Sequence, residues 1–202
     1  MPVPTAAAIY CLSATALSIA LVVLLHFLEP EYDPSWRMLS EYSLGRYGAL
    51  MRVVFVLWGS GVVALAVALG RPAWPGSLGL VLVAVGPTGA AFIDTDPVTT
   101  PHGEMSRKSN VHAVLGALFI LGFPLAATVA GISVAGNAAL GTVLAWASLA
   151  PWGALAWFLG SNLRYARSHD RGGPQVRVGW PNRVSMLVYL GWVALAAITV
   201  LH

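Results

Sequence analysis

Charge is scarce in this sequence: Asp, Glu, Lys and Arg together make up 9% of its residues, against about a quarter in soluble globular domains. A chain that is 57% hydrophobic, with a mean hydropathy of +0.75, has too little polar surface to keep its apolar surface in water. An ordinary soluble domain is therefore excluded. Cysteine occurs once, as Cys11 within an apolar stretch, so neither an intramolecular disulfide nor a cysteine-built zinc site is available. No two histidines stand at helical spacing, which removes the helix-borne histidine pair of zinc hydrolases. No ionisable residue falls at the middle of an apolar run, which argues against a proton-coupled transporter. The pI of 9.4 rests on a formal excess of three charges scattered over separate loops, and it is not the footprint of a nucleic-acid binder.

The long apolar runs carry the fold. Crossing about 30 Å of hydrocarbon takes about 20 residues of helix, and in lipid a helix satisfies its own backbone hydrogen bonds. Six such runs are expected, at residues 6–28, 47–69, 74–93, 110–132, 138–159 and 183–201. The first has no basic segment before it and five more runs after it, so it reads as a membrane helix rather than a cleaved signal. The expected fold is all-α, one integral membrane bundle of six transmembrane helices spanning residues 1–202. It is a multi-pass protein of the cell membrane.

Six spans put the first, third and fifth connections on one side and both termini on the other. The first side then receives Arg37, Arg46, Arg52, Arg107, Lys108, Arg164, Arg167, Arg171, Arg177 and Arg183, leaving only Arg71 opposite. The positive-inside rule makes that side cytoplasmic and both termini extracytoplasmic. All eight acids and His26, His102, His112 and His169 fall on the same side. Long loops account for part of this clustering, and an active or binding face for the rest.

Three constellations can carry chemistry. Asp94 and Asp96 close the third run, while His102 and His112 lie before and within the opening of the fourth. Carboxylate and imidazole suit proton transfer or a divalent cation. The structural alternative is that Asp96 caps a turn before Pro97, Asn110 caps the fourth helix and His112 bonds a loop carbonyl. Ahead of the second run, Ser40 or Ser43 can cap a helix, and Glu41 can pair with Arg46 or Arg183 or act with Asp96 as a second carboxylate. At the start of the last run, Arg183 can snorkel to headgroups or hold an anion, as its fixed guanidinium allows. Tryptophans and tyrosines at span ends, such as Trp36, Tyr47 and Trp180, suit the interfacial belt.

Several short motifs resemble the bacterial and archaeal multi-pass membrane family known as DUF998. They are Leu39, Ser40, Glu41, Tyr42, Ser43, Leu44 and Gly45 before the second run; Thr95, Asp96 and Pro97 after the third; His102, Gly103 and His112; and Asn182 with Arg183. The resemblance implies six spans and an interfacial motif set, and names no reaction. Small membrane-embedded terpene cyclases are similar in size and in relying on carboxylic acids to protonate an isoprenoid; by this analogy, which is not a relationship, a further alternative is a terpene-cyclase-like enzyme in which Asp96 and Glu41 fill that role.

The expected function is to bind or transform a lipid-like or isoprenoid molecule at a cytoplasm-facing interfacial site. Asp96, His112 and Glu41 are its candidate catalytic groups, and Arg183, Arg46, Asp94 and His102 its candidate ligand contacts. The alternative is a nonenzymatic membrane partner or regulator in which the same residues form a structural polar network. These motifs specify no cofactor, metal or oligomeric state. The partners they point to are the lipid bilayer and an apolar ligand, not nucleic acid.

Overall fold

The computed structural model describes residues 1–136, 140–168 and 173–202, with only the backbone described for His102 and residues 164–168. The described chain is helical and contains no strand. Helix α1 (Val3–Leu28) begins with prolines at its first positions, where a missing N–H costs nothing, and ends at Glu29 before Pro30. Helix α2 (Gly48–Leu69) ends at Gly70, whose φ of +64° makes the turn into α3 (Trp74–Ala90). Helices α4 (Arg107–Val134), α5 (Gly141–Ala147), α6 (Leu149–Ser168) and α7 (Gly179–Leu201) follow.

Six segments are long and apolar enough to cross a membrane, with α5 and α6 joined into one of them, Gly141–Leu163. This is a multi-pass membrane protein. The break between α5 and α6 has a local cause. Pro151 has no N–H to give the carbonyl of Ala147, and the Ser148 hydroxyl donates to Leu144 O at 3.0 Å and Ala127 O at 3.2 Å. Residue 138, the expected start of this fifth span, lies outside the described residues, as do the candidate loop charges Arg171, His169 and Asp170.

The most extensive packing joins α3 to α4, then α1 to α2 and α2 to α3, so sequential helices are neighbours; α7 closes the bundle against α1 and α6. Lipid tails are as apolar as side chains, so close backbone approach and dispersion must hold membrane helices together. The α3–α4 contact shows this: a Cβ at Gly76 would collide with the backbone of Ala130, and one at Gly86 with Leu115 O. Deep in the bundle Phe123 stacks on Tyr189 at 4.6 Å between ring centroids, with Trp192 edge-on at 5.8 Å.

Several helix ends differ from the sequence reading, α1 starting at Val3 rather than residue 6, α6 running to Ser168 rather than 159 and α7 starting at Gly179 rather than Arg183; two further differences shape the site. Helix α3 stops at Ala90 rather than near Ile93, because the chain tightens (Phe92 N donates to Gly89 O at 3.1 Å) before an extended segment that Pro97 enforces on Asp96. Helix α4 starts at Arg107 rather than Asn110. Its N-cap is Ser106, whose Oγ accepts from Ser109 N at 3.1 Å, and the exposed Asn110 caps nothing.

Candidate functional site

The α1–α2 loop folds into a 3-10 turn, Leu39–Leu44, and the α3–α4 loop lies against it. Glu41 joins them. Its carboxylate is 1% exposed; Oε1 accepts from the Arg37 guanidinium at 2.6 Å and Val98 N at 2.9 Å, and Oε2 accepts from Met38 N at 2.8 Å. The partner is Arg37, not the expected Arg46 or Arg183. Neither Ser40 nor Ser43 caps α2; the Ser43 hydroxyl donates to Ser40 O instead. Asn182, on the first turns of α7, accepts Leu39 N at 3.0 Å and ties a third segment to the same turn.

Asp96 organises the α3–α4 loop. Its carboxylate accepts from Ser106 N at 2.6 Å and Ser106 Oγ at 3.1 Å, while its own N–H donates to Ser109 Oγ at 3.0 Å. It thus fixes the cap residue of α4. One turn further, His112 is buried at 6% exposure and meets Phe55 edge-on at 5.9 Å. Its Nδ1 lies 2.6 Å from Ile93 O. A carbonyl only accepts, so Nδ1 carries the proton and Nε2 keeps its lone pair. Nε2 has no hydrogen-bond partner among the described residues.

Glu41, Asp96 and His112 all line one cavity of about 420 Å³. Its deeper wall is apolar and aromatic, including Phe55, Trp58, Phe119, Phe158 and Met186. The indole N–H of Trp58 is buried without an acceptor. Trp58 sits ten residues into α2, so the cavity reaches about 15 Å inward from the loop end at 1.5 Å per residue, about halfway through the hydrocarbon. The residues present can offer a hydrogen-bond acceptor (His112 Nε2) and the Asn162 amide near the loop end, with apolar surface below. Among the described residues no three His, Cys, Asp or Glu side chains gather in a way that would hold a metal ion.

The other sequence candidates lie elsewhere. Arg183 does not snorkel: it is 4% exposed, and Nε donates to His26 Nε2 at 2.9 Å. Its other donors reach Arg37 O at 2.5 Å, Gly179 O at 3.3 Å, Pro34 O at 3.4 Å and the Tyr42 hydroxyl at 3.4 Å. His26 Nδ1 faces Val22 O at 2.7 Å, so by the same tautomer argument its Nε2 is the acceptor for Arg183. A buried guanidinium is here solvated by carbonyl dipoles, an imidazole and a phenol. Burial pushes the Tyr42 phenol up from its ordinary pKa, keeping it neutral as a donor and acceptor beside this cation. Arg46 is exposed over the Tyr47 ring, 5.5 Å from its centroid. Asp94 pairs with Arg52 at 2.5 Å on a surface that is about two-fifths exposed on both partners. His102 lies in a turn, His102–Glu104, with its side chain outside the described residues.

With this arrangement in view, the relationship to known proteins can be read. The family model described as "Protein of unknown function (DUF998)" matches residues 12–199. The chain belongs to the DUF998 family. The matched stretch takes in Glu41, Asp96, His112 and Arg183. No curated protein and no solved structure matches this DUF998 chain.

Several residues around this cavity of the DUF998 chain were not singled out from sequence. Arg37, Ser106, Ser109, Trp58 and Asn162 are ordinary residues at span ends or within spans, and only the packed loops give them roles. Glu29 is the clearest omission. It is 1% exposed at the end of α1, one oxygen takes the N–H of Tyr47, and Oε2 has no hydrogen-bond partner. Gly45 is needed beside it, since a Cβ there would strike the carboxylate. An acid where an apolar run ends is the sequence signal that marks it.

Proposed function

We propose that this DUF998 protein binds a lipid-like or isoprenoid-type amphiphile in the cavity. The polar head lies against His112 and Asn162 at the loop end, and the apolar part lies against Phe55, Phe119 and Phe158. The observation that carries this reading is His112: a nine-tenths buried imidazole, oriented by Ile93 O, with an unpartnered Nε2 on the wall of a cavity that is otherwise mainly apolar. Nε2 is open to the cavity, and pockets with a few convergent polar groups on apolar walls are where ligands bind. Glu41 and Asp96 are positioning residues, because their oxygens hold the loops. On the charge asymmetry of the loops the site faces the cytoplasm, in the cell membrane.

A second reading rests on a specific observation as well. Every hydrogen bond of the Glu41 and Asp96 carboxylates goes to the protein's own N–H and O–H groups, as a structural network in a nonenzymatic partner or regulator requires. Protonation of an isoprenoid by either acid, as in a terpene cyclase, would have to compete with these bonds.

His112→Asn separates the two readings, because asparagine keeps an N–H donor near the position of Nδ1 and removes Nε2. The full chain and the variant are released in mild detergent and compared by native mass spectrometry, with extraction and identification of any adduct. The binding reading expects an apolar adduct on the wild type that the variant loses while it still melts as a folded protein. Identical adducts on both, or none on either, sink the reading and favour the network.

A further inference from the structure

The cavity has two boundaries that face the outside, and they are built differently. Toward the loops it is cross-linked: Glu41 binds Val98 N, Met38 N and Arg37, Asp96 binds Ser106, and Asn182 binds Leu39 N. Widening that side breaks several charge-assisted hydrogen bonds, those of Glu41 part-buried. Toward the bilayer, between α4 and α6, nothing comparable exists among the described residues.

Helices α4 and α6 touch at the end far from the loops. Ser148 Oγ, at the junction of α5 with α6, donates to Ala127 O at 3.2 Å, and Trp152 Nε1 donates to Thr128 Oγ1 at 3.0 Å. Nearer the loops no hydrogen bond joins the two helices among the described residues, and both line the cavity. The α4 residues there are Ala113, Gly116, Ala117 and Leu121; a Cβ at Gly116 would meet nothing within 4 Å, and Leu121 is 48% exposed. Across from them, Leu159 of α6 is 37% exposed. Small residues on membrane helices ordinarily bring a neighbour close. Here they border open space that continues into the cavity holding the unpartnered Nε2 of His112.

From this we infer that the occupant reaches the cavity sideways out of the bilayer, through the gap between the loop-end halves of α4 and α6. It is therefore a bilayer-resident amphiphile with an alkyl or prenyl tail, not a solute taken from water. The inference rests on the binding reading above and adds the route and the substrate class. A tail in the gap lies among Gly116, Ala117, Leu121 and Leu159 while a hydrogen-bonding head reaches His112. Such a molecule need never leave the membrane, and the loop shell need never open.

The test uses the full chain in vesicles of phosphatidylethanolamine and phosphatidylglycerol containing a phosphatidylcholine with a diazirine at its tail end. After irradiation, labelled residues are mapped by peptide mass spectrometry. Val114 and Leu125 are exposed on the outer face of α4 and report contact with bulk lipid. Phe119 and Phe158 line the cavity and are buried, so only a tail inside the gap reaches them. The expected result is labelling of both pairs in the wild type. In Gly116→Trp or Ala117→Trp, labelling of Phe119 and Phe158 falls by about tenfold, the effect of losing ~1.4 kcal/mol of binding, with the outer pair unchanged. Two variants are used so that one folded, by its melt, suffices. Unlabelled Phe119 and Phe158 in a wild type that still carries its native adduct would overturn the route and leave binding intact. Labelling untouched by either tryptophan also overturns it, as does protection of Ala117 and Leu121 that grows with protein density, the mark of a second copy covering the gap. Absence of both adduct and inner labelling removes the binding reading and the route together.

Discussion

Glu41 and His112 are both buried at the loop end of one cavity, yet their hydrogen bonds give them different work. Glu41 engages both carboxylate oxygens with three N–H donors of the protein itself. His112 uses one nitrogen to fix its ring and leaves the other free. Substitution should divide them accordingly. In Glu41→Gln one of the three donors must face an NH₂ group, and Arg37, whose Nε is already buried without a partner, loses its counter-ion. The expected cost is about 1.5–3 kcal/mol, the range for hydrogen bonds to charged groups. A lower melting temperature in detergent, with faster hydrogen exchange at the Met38 and Val98 amides, is the expected outcome. An unchanged melt with loss of the bound adduct would instead make Glu41 a ligand contact. The sequence carried the residue types of this site, since Glu41, Asp96 and His112 were visible as ionisable groups where apolar runs end. It did not carry their partners: the Glu41–Arg37 pair is a local i,i+4 contact, whereas Glu41 to Val98 spans 57 residues and depends on how two loops pack.

The helices themselves were legible because hydrophobic length is a strong signal in a membrane chain, whereas their ends are set by single side chains that compete for the same orphan N–H groups. The start of α4 is an instance. Asn110 and Ser106 are both acceptable caps by residue type, and the choice falls to Ser106 because Asp96 grips its N–H and hydroxyl from the opposing loop. Replacing Ser106 by Ala removes the bond to Ser109 N and one of the two Asp96 bonds, and is expected to cost about 1 kcal/mol, the typical worth of a serine cap. Hydrogen exchange at Ser109 is the direct readout and should quicken. Asn110→Ala should leave it unchanged, because the Asn110 side chain is exposed and makes no hydrogen bond among the described residues. If the two variants behave alike, the cap has been assigned to the wrong residue.

Six spans with both termini at one end follow from the helix count, and an even number of crossings leaves only the choice of which end faces the cytoplasm. Two features of the molecule bear on that choice together. Among the described residues, nine of the ten Lys and Arg residues belong to the end with the knitted loops, and Arg71, in the short turn between α2 and α3, is the exception. Of those nine, Arg183 is buried in its carbonyl and imidazole cage and Arg37 is held by Glu41, but Arg46, Arg107, Lys108 and Arg177 are exposed to interact with headgroups or water. The exposed set alone still outweighs the opposite end. The expectation is a cytoplasmic loop shell and extracytoplasmic termini. It can be read by thiol labelling in intact cells. In a Cys11→Ala background, His202→Cys should react with a membrane-impermeant maleimide from outside, while Arg46→Cys and Arg107→Cys react only after the membrane is opened. Cys11 itself is buried and contributes little background. Labelling in the reverse order would place the loop end of the cavity outside the cell, and on the binding reading proposed above the occupant would then come from the outer leaflet, through the same gap between α4 and α6.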